Sequence, residues 1–121
     1  MPEIQNKKYD LEERTLKFAK RICAYGNKLP RTVSNVENGK QLVRAGGSVG
    51  ANYIEANECL SKKDFMMRIK ISRKEAKESR FFLELTEPLS LESKEKSDLI
   101  QEATELTKIF GSILEKSKYS V

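Results

Sequence analysis

Residues 41–85 read QLVRAGGSVGANYIEANECLSKKDFMMRIKISRKEAKESRFFLEL. Two rows of small and apolar residues run through this stretch at spacings of three and four. Leu42, Gly46, Val49, Tyr53, Ala56 and Leu60 form the first; Phe65, Ile69, Ser72, Ala76, Ser79 and Leu83 form the second. Residues three and four apart share one face of an α-helix, so the spacing predicts two amphipathic helices, over about 36–59 and 62–85. Ser34 with Glu37 and Ser61 with Asp64 have the spacing of N-terminal caps. The break at Ser61 is short, and so short a link folds two long helices back on each other as antiparallel neighbours.

The same periodicity continues outward in both directions. Upstream, Leu11, Thr15, Phe18, Ile22, Tyr25 and Leu29 predict a helix over about 11–28, with Asp10 as N-cap, Glu13 at the capping-box position and Pro30 as the stop. Downstream of Pro88, Leu99, Ala103, Leu106, Phe110 and Ile113 predict a helix over about 94–116, capped by Ser90 or Ser93. Every connector is short. The expected fold is all-α, an antiparallel up-down-up-down four-helix bundle in a single domain spanning residues 1–121. A chain of this length hides roughly two-thirds of its unfolded surface, enough to fold without disulfides or metal.

Composition narrows the function. There is no histidine, which removes His-based triads, His general bases, His-ligated zinc and the Glu-x-x-His di-iron site of helical bundles. An enzyme is not expected, nor a metal or other cofactor. No apolar run reaches the length needed to span a membrane. MPEIQNKKYD lacks the apolar region of a secretory signal, so the cytoplasm is the expected location. Cys23 and Cys59 fall on antiparallel helices about 30 Å apart, too far for a disulfide, and read as free thiols.

The formal charge is +5, and it is unevenly spread: +3 over residues 1–30, zero over 31–60, +3 over 61–88 and −1 over 89–121. Lys70, Arg73, Lys77 and Arg80 recur at spacings of three and four on the third helix; Arg14, Lys17, Arg21 and Lys28 form a similar stripe on the first, at spacings of three, four and seven. Such stripes either follow a phosphate backbone, releasing counterions as they bind RNA or DNA, or are ordinary solvated faces. Phe81 lies off the main seam of the third helix, in a second row with Met67, Ile71 and Leu85. The fourth helix widens similarly through Ile100, Thr107 and Leu114. A wide apolar face implies a contact between subunits; a nucleobase stacked on Phe81 is the alternative.

Gly46, Gly47 and Gly50 lie inside the second helix, where each costs about 1 kcal/mol relative to alanine. Close approach of a neighbouring helix is the simplest compensation. The competing reading, a phosphate-cradling loop, lacks the P-loop spacing and a preceding strand. A polar row of Ser48, Asn52, Glu55 and Cys59 faces Arg68, Ser72, Glu75 and Ser79 when the two helices fold back about Ser61. Arg44 then pairs with Glu75 or Glu78, and Glu55 with Arg68, in the bidentate geometry that arginine favours.

These residues carry a resemblance. QL-x-R-x-x-x-SV-x-AN-x-x-E, followed by SKKDF and the run KEAKE, with FAKRI…KLP upstream, resembles the bacterial four-helix-bundle family encoded in intervening sequences of large-subunit ribosomal RNA genes. It covers about 45 residues strongly, from Gln41 to Leu85. The resemblance implies a compact four-helix bundle and a ring-shaped homo-oligomer, a pentamer. It places the family pattern on Arg44, Ser48, Asn52, Glu55 and Glu75, without a catalytic role. A related branch, the accessory variability determinant of diversity-generating retroelements, implies nucleic acid and a reverse transcriptase as partners. The function of most of the wider family is unknown. The chain departs from the family at NYIEANE, where members often continue NIAEG. The expectation is a non-enzymatic nucleic-acid-binding accessory protein; its rival is a protein-interaction scaffold.

Overall fold

Residues 7–118 are described in the structure, a computed structural model. Residues 1–6, which head the stretch read for a targeting signal, and 119–121 lie outside the described residues. Four helices follow one another: α1 Lys7–Asn27, α2 Val33–Asn57, α3 Lys62–Leu85 and α4 Ser93–Lys118, the last preceded by a 3-10 turn at Ser90–Glu92. Each packs against the next, and α1 also meets α4, closing an antiparallel up-down-up-down bundle. No helix among the described residues is long and apolar enough to cross a membrane.

The helix ends show which capping signals win. Ser61 accepts a hydrogen bond from the Asp64 backbone N–H at 3.1 Å, as its spacing predicts. At α2 the cap is Thr32 rather than Ser34: Thr32 is extended and accepts from the Asn35 N–H at 3.1 Å. Helix α1 begins upstream of Asp10, which therefore sits inside the helix and not at its cap. Helix α2 ends at Asn57, before Cys59, so Leu60 falls in the connector and is fully exposed instead of completing the seam.

The remaining seam positions converge on one core. Phe18, Ile22 and Tyr25 meet Leu42, Val49 and Tyr53, together with Ile69, Leu83, Leu99, Leu106 and Phe110. Leu114, not Ile113, closes the α4 seam, while Ile100, Ile109 and Ile113 pack partly buried against it. The widened face of α4 is thus largely used inside the bundle and not held out for a second subunit.

Helix α2 is drawn tightly to both neighbours. A Cβ at Gly46 would sit 3.1 Å from Ile22, and one at Gly50 2.8 Å from the Thr15 hydroxyl. Gly47 differs: it faces outward, with nothing within 4 Å of the same position. Only two of the three glycines therefore serve close packing. On the other flank the Ser72 hydroxyl donates to the Val49 carbonyl across the helix pair at 2.9 Å.

The loosest pairing, α1 with α4, is bridged by ions. Arg14 holds Glu102 through both oxygens, at 2.7 and 2.9 Å, and reaches Glu105 at 2.7 Å. Arg21 grips Glu95 at 3.0 and 2.9 Å, and Lys28 approaches Glu92 at 3.6 Å. The hydrogen bond to Glu102 is the main cause that raises the Arg14 guanidinium above its ordinary range; Glu95 does the same for Arg21. Glu105 is held below the ordinary carboxylate range by hydrogen bonds from Gln101 first and Arg14 second.

Buried polar groups tie the connectors at one end. Asn35, in the first turn of α2, donates to the Pro30 and Glu87 carbonyls at 2.9 and 3.0 Å and accepts from the Glu87 N–H at 2.9 Å. It thereby clamps the α1–α2 link to the α3–α4 link. The Thr86 hydroxyl donates to the Leu83 carbonyl at 2.7 Å, so Tyr25 supplies the proton for the 2.7 Å bond between the two hydroxyls. Burial pushes the Tyr25 phenol up from its usual range.

The glycine geometry separates two substitutions of the same chemistry. Gly47→Ala adds a methyl to open space in a helix interior and is expected to stabilise the fold by about 1 kcal/mol in denaturant unfolding. Gly50→Ala gains the same propensity but drives a methyl into Thr15, whose hydroxyl is fixed on the Leu11 and Glu12 carbonyls. Overpacking of roughly 1–3 kcal/mol outweighs that gain and gives a net loss. Equal stabilisation by both would mean that α1 and α2 do not approach closely at Gly50.

Candidate nucleic-acid interface

The two basic stripes meet different fates in the bundle. On α1, Arg14 and Arg21 turn toward the acidic residues of α4 and bridge the helices; Lys28, just past the end of α1, pairs with Glu92 in the 3-10 turn before α4. Lys17 alone of that stripe is exposed without an ion pair among the described residues. On α3, Arg80 is engaged by Glu84 at 2.9 Å and by the Thr104 hydroxyl at 3.0 Å. Lys70, Arg73 and Lys77 are exposed, and none makes an ion pair among the described residues.

These three residues border a groove that the sequence stripes do not reveal, because α4 supplies its other wall. Lys70 and Arg73 line it from α3; Lys108, Ser112, Lys116 and Lys118 line it from α4, around a volume of about 960 Å³. Gly111 forms part of the floor. A Cβ there would stand 3.6 Å from the Arg73 Nε, at ordinary contact distance, which places the Arg73 guanidinium beside α4. A smaller hollow of about 350 Å³ continues the groove along α3, sharing Lys70, Arg73 and Leu114 and adding Lys74, Lys77, Glu78 and Phe81.

Charge along this surface is one-sided. Seven cations line the two hollows: Lys70, Arg73, Lys74, Lys77, Lys108, Lys116 and Lys118. The two acids among the lining residues are already paired, Glu78 with Arg44 at 2.8 Å and Glu115 with Lys118 at 3.3 Å. Lys116 and Lys118 also lie in the last turn of α4, where positive charge complements the helix dipole. The arrangement suits a polyanion: several flexible ammonium groups and one guanidinium converge on a concave surface with little internal neutralisation.

The polar row on α2 holds two helices together. Arg44 binds Glu75 at 3.3 Å and Glu78 at 2.8 Å, so both anticipated partners are used at once. Ser48 donates to the Arg44 carbonyl, and Asn52 to the Ser48 carbonyl. The expected Glu55–Arg68 pair is absent. Arg68 donates instead to the Asn52 side-chain oxygen at 2.9 Å, one turn earlier in α2, and the Glu55 carboxylate points to solvent. Arg44 with Glu75 and Glu78, and Asn52 with Arg68, thus lace α2 to α3, while the Ser48 bond stays within α2. Cys23 and Cys59 are both free thiols. Among the described residues no group of three or more Cys, Asp or Glu is placed to hold a metal ion.

No curated protein matches the chain. A crystal structure of a protein of unknown function from the S23 ribosomal protein family of Bacteroides thetaiotaomicron is similar to it, with 28% identity and a TM-score of 0.74. The match covers 91% of this chain and 99% of that one. The family model described as 23S rRNA-intervening sequence protein matches residues 7–112, which include all of α1–α3 and most of α4. The chain belongs to the family of 23S rRNA-intervening sequence proteins.

Proposed function

We propose that this protein is a non-enzymatic, cytoplasmic accessory protein that binds RNA or DNA through the groove between α3 and the C-terminal half of α4. The observation that carries the reading is the convergence of Lys70, Arg73, Lys77, Lys108 and Lys116 on one concave surface with no ion pair among the described residues. Helix α1 contributes little to the site, because Arg14 and Arg21 already neutralise α4 carboxylates. Contacts of this kind recognise phosphate and not base sequence. The second reading, a protein-interaction scaffold, treats the same cations as a solvated face.

The proposal includes self-assembly, with the five copies that the family resemblance implies. An uncharged strip on the α1–α2 side supports it: Leu16, Val43 and Ile54 are 55%, 39% and 50% exposed, beside exposed Cys23, Gly47 and Ala51. A ring would repeat the groove around its axis and multiply a modest charge per chain. Light scattering is expected to give a mass several times 13.9 kDa at micromolar concentration. A monomer mass contradicts this part of the proposal.

Binding itself is tested by salt. Affinity for mixed-sequence RNA is expected to fall steeply between about 50 and 200 mM salt, with little preference among sequences. Arg73→Glu with Lys77→Glu weakens binding to all sequences and flattens the salt slope, while the melting temperature hardly moves, because neither side chain is ion-paired. Absence of RNA and DNA binding at about 50 mM salt replaces this reading with the scaffold.

A further inference from the structure

We propose that Phe81 is a stacking platform for an unpaired nucleobase, so that the groove takes single-stranded in preference to duplex nucleic acid. This rests on the nucleic-acid reading above and adds the form of the ligand. Phe81 is 59% exposed on the surface of α3, about one turn before the helix ends at Leu85. Its ring meets Phe82 edge-on, with centroids 5.2 Å apart and planes at 80°, and Phe82 is itself packed against the core. A large apolar ring is therefore presented to solvent beside a partner that is anchored in the bundle.

The neighbours decide what covers it. Phe81 lines the same hollow as Lys70, Arg73, Lys74 and Lys77. An apolar protein face closing over Phe81 would have to strip water from these cations, and the centres of protein interfaces are depleted of charge for that reason. A nucleotide carries a flat ring and a phosphate side by side, so it covers the phenyl face while its phosphate meets the ammonium groups. In a duplex the faces of the bases are already stacked on one another; only an unstacked base offers its face to an aromatic side chain on a helix surface.

The test uses the full chain, a short labelled oligouridine and an RNA duplex of equal length, compared by fluorescence anisotropy at low salt. The oligouridine is expected to bind more tightly than the duplex. Phe81→Ala weakens oligouridine binding by roughly 5- to 100-fold, the range of one lost base–aromatic stack, yet leaves the salt slope unchanged because no cation is removed. The chain contains no tryptophan, so Phe81→Trp creates a single reporter. That variant keeps its affinity, and its emission is quenched by oligouridine at the concentrations that saturate binding. Equal affinity for duplex and single strand, or an unchanged affinity of Phe81→Ala, overturns the stacking inference while leaving the groove as a phosphate site. Dissociation of the assembly by Phe81→Ala with oligouridine affinity intact also overturns it, and assigns Phe81 to a subunit contact. Failure of the wild type to bind either probe overturns the nucleic-acid reading itself.

Discussion

Helix α2 gives up its side chains at the two points where α1 comes nearest to its backbone. Gly46 and Gly50 let Ile22 and Thr15 of α1 lie against its backbone, and on the other flank the short side chain of Ser72 reaches the Val49 carbonyl directly. Close packing of this kind trades helix propensity for contact: each glycine costs about 1 kcal/mol in the helix interior, offset by the dispersion and burial that a larger side chain would prevent. With α1, α2 and α3 drawn together, the fourth helix closes the bundle through α3 and the shared core. Its approach to α1 is completed by long arginine side chains and not by small ones.

That closure determines where free positive charge remains. The acids of α4 cluster toward its beginning, and Glu95, Glu102 and Glu105 are matched by Arg14 and Arg21 across the seam. Three of the five lysines of α4, Lys108, Lys116 and Lys118, lie in its second half, and the antiparallel register sets them beside Lys70 and Arg73 of α3; Lys94 and Lys96, at its beginning, are engaged by Asp98 and by the Thr86 carbonyl. The same helix therefore neutralises one basic stripe and extends the other. Arg44 adds to the asymmetry by engaging Glu78, one of the two acids bordering the basic surface. Ion pairs that fasten the helices leave the groove with an unbalanced charge as a by-product of the fold.

Much of the architecture was legible in the residues because core burial and helical period are the same signal. The six positions of the first seam, from Leu11 to Leu29, are all buried, although α1 itself stops at Asn27, and α3 begins after the Ser61 cap and ends at Leu85, as its pattern indicates. Leu60 misled because it continues the α2 period after the helix has stopped at Asn57. Gly47 misled because neighbouring glycines in a helix face different directions, and only a partner helix reveals which one matters. The Asn35 clamp ties its side chain to the backbone of a residue 52 positions away and leaves no periodic trace. The groove was half legible. Its α3 wall appears as a stripe, whereas the net charge of −1 over residues 89–121 conceals the separation of acids from bases along α4. Which arginines were available was not readable either: Arg14 and Arg73 have the same chemistry in the sequence, and only the helix opposite distinguishes them.

In the proposed function a polyanion docks between α3 and the end of α4 and not along α1. An NMR titration of the labelled chain with a short RNA reads this directly, residue by residue, through the backbone amides. The account predicts that shifts concentrate at Lys70, Arg73, Lys77, Lys108, Gly111 and Lys116, with the amides of Arg14, Lys17 and Arg21 nearly unmoved. Shifts centred on α1, or none anywhere at saturating RNA in low salt, would contradict it.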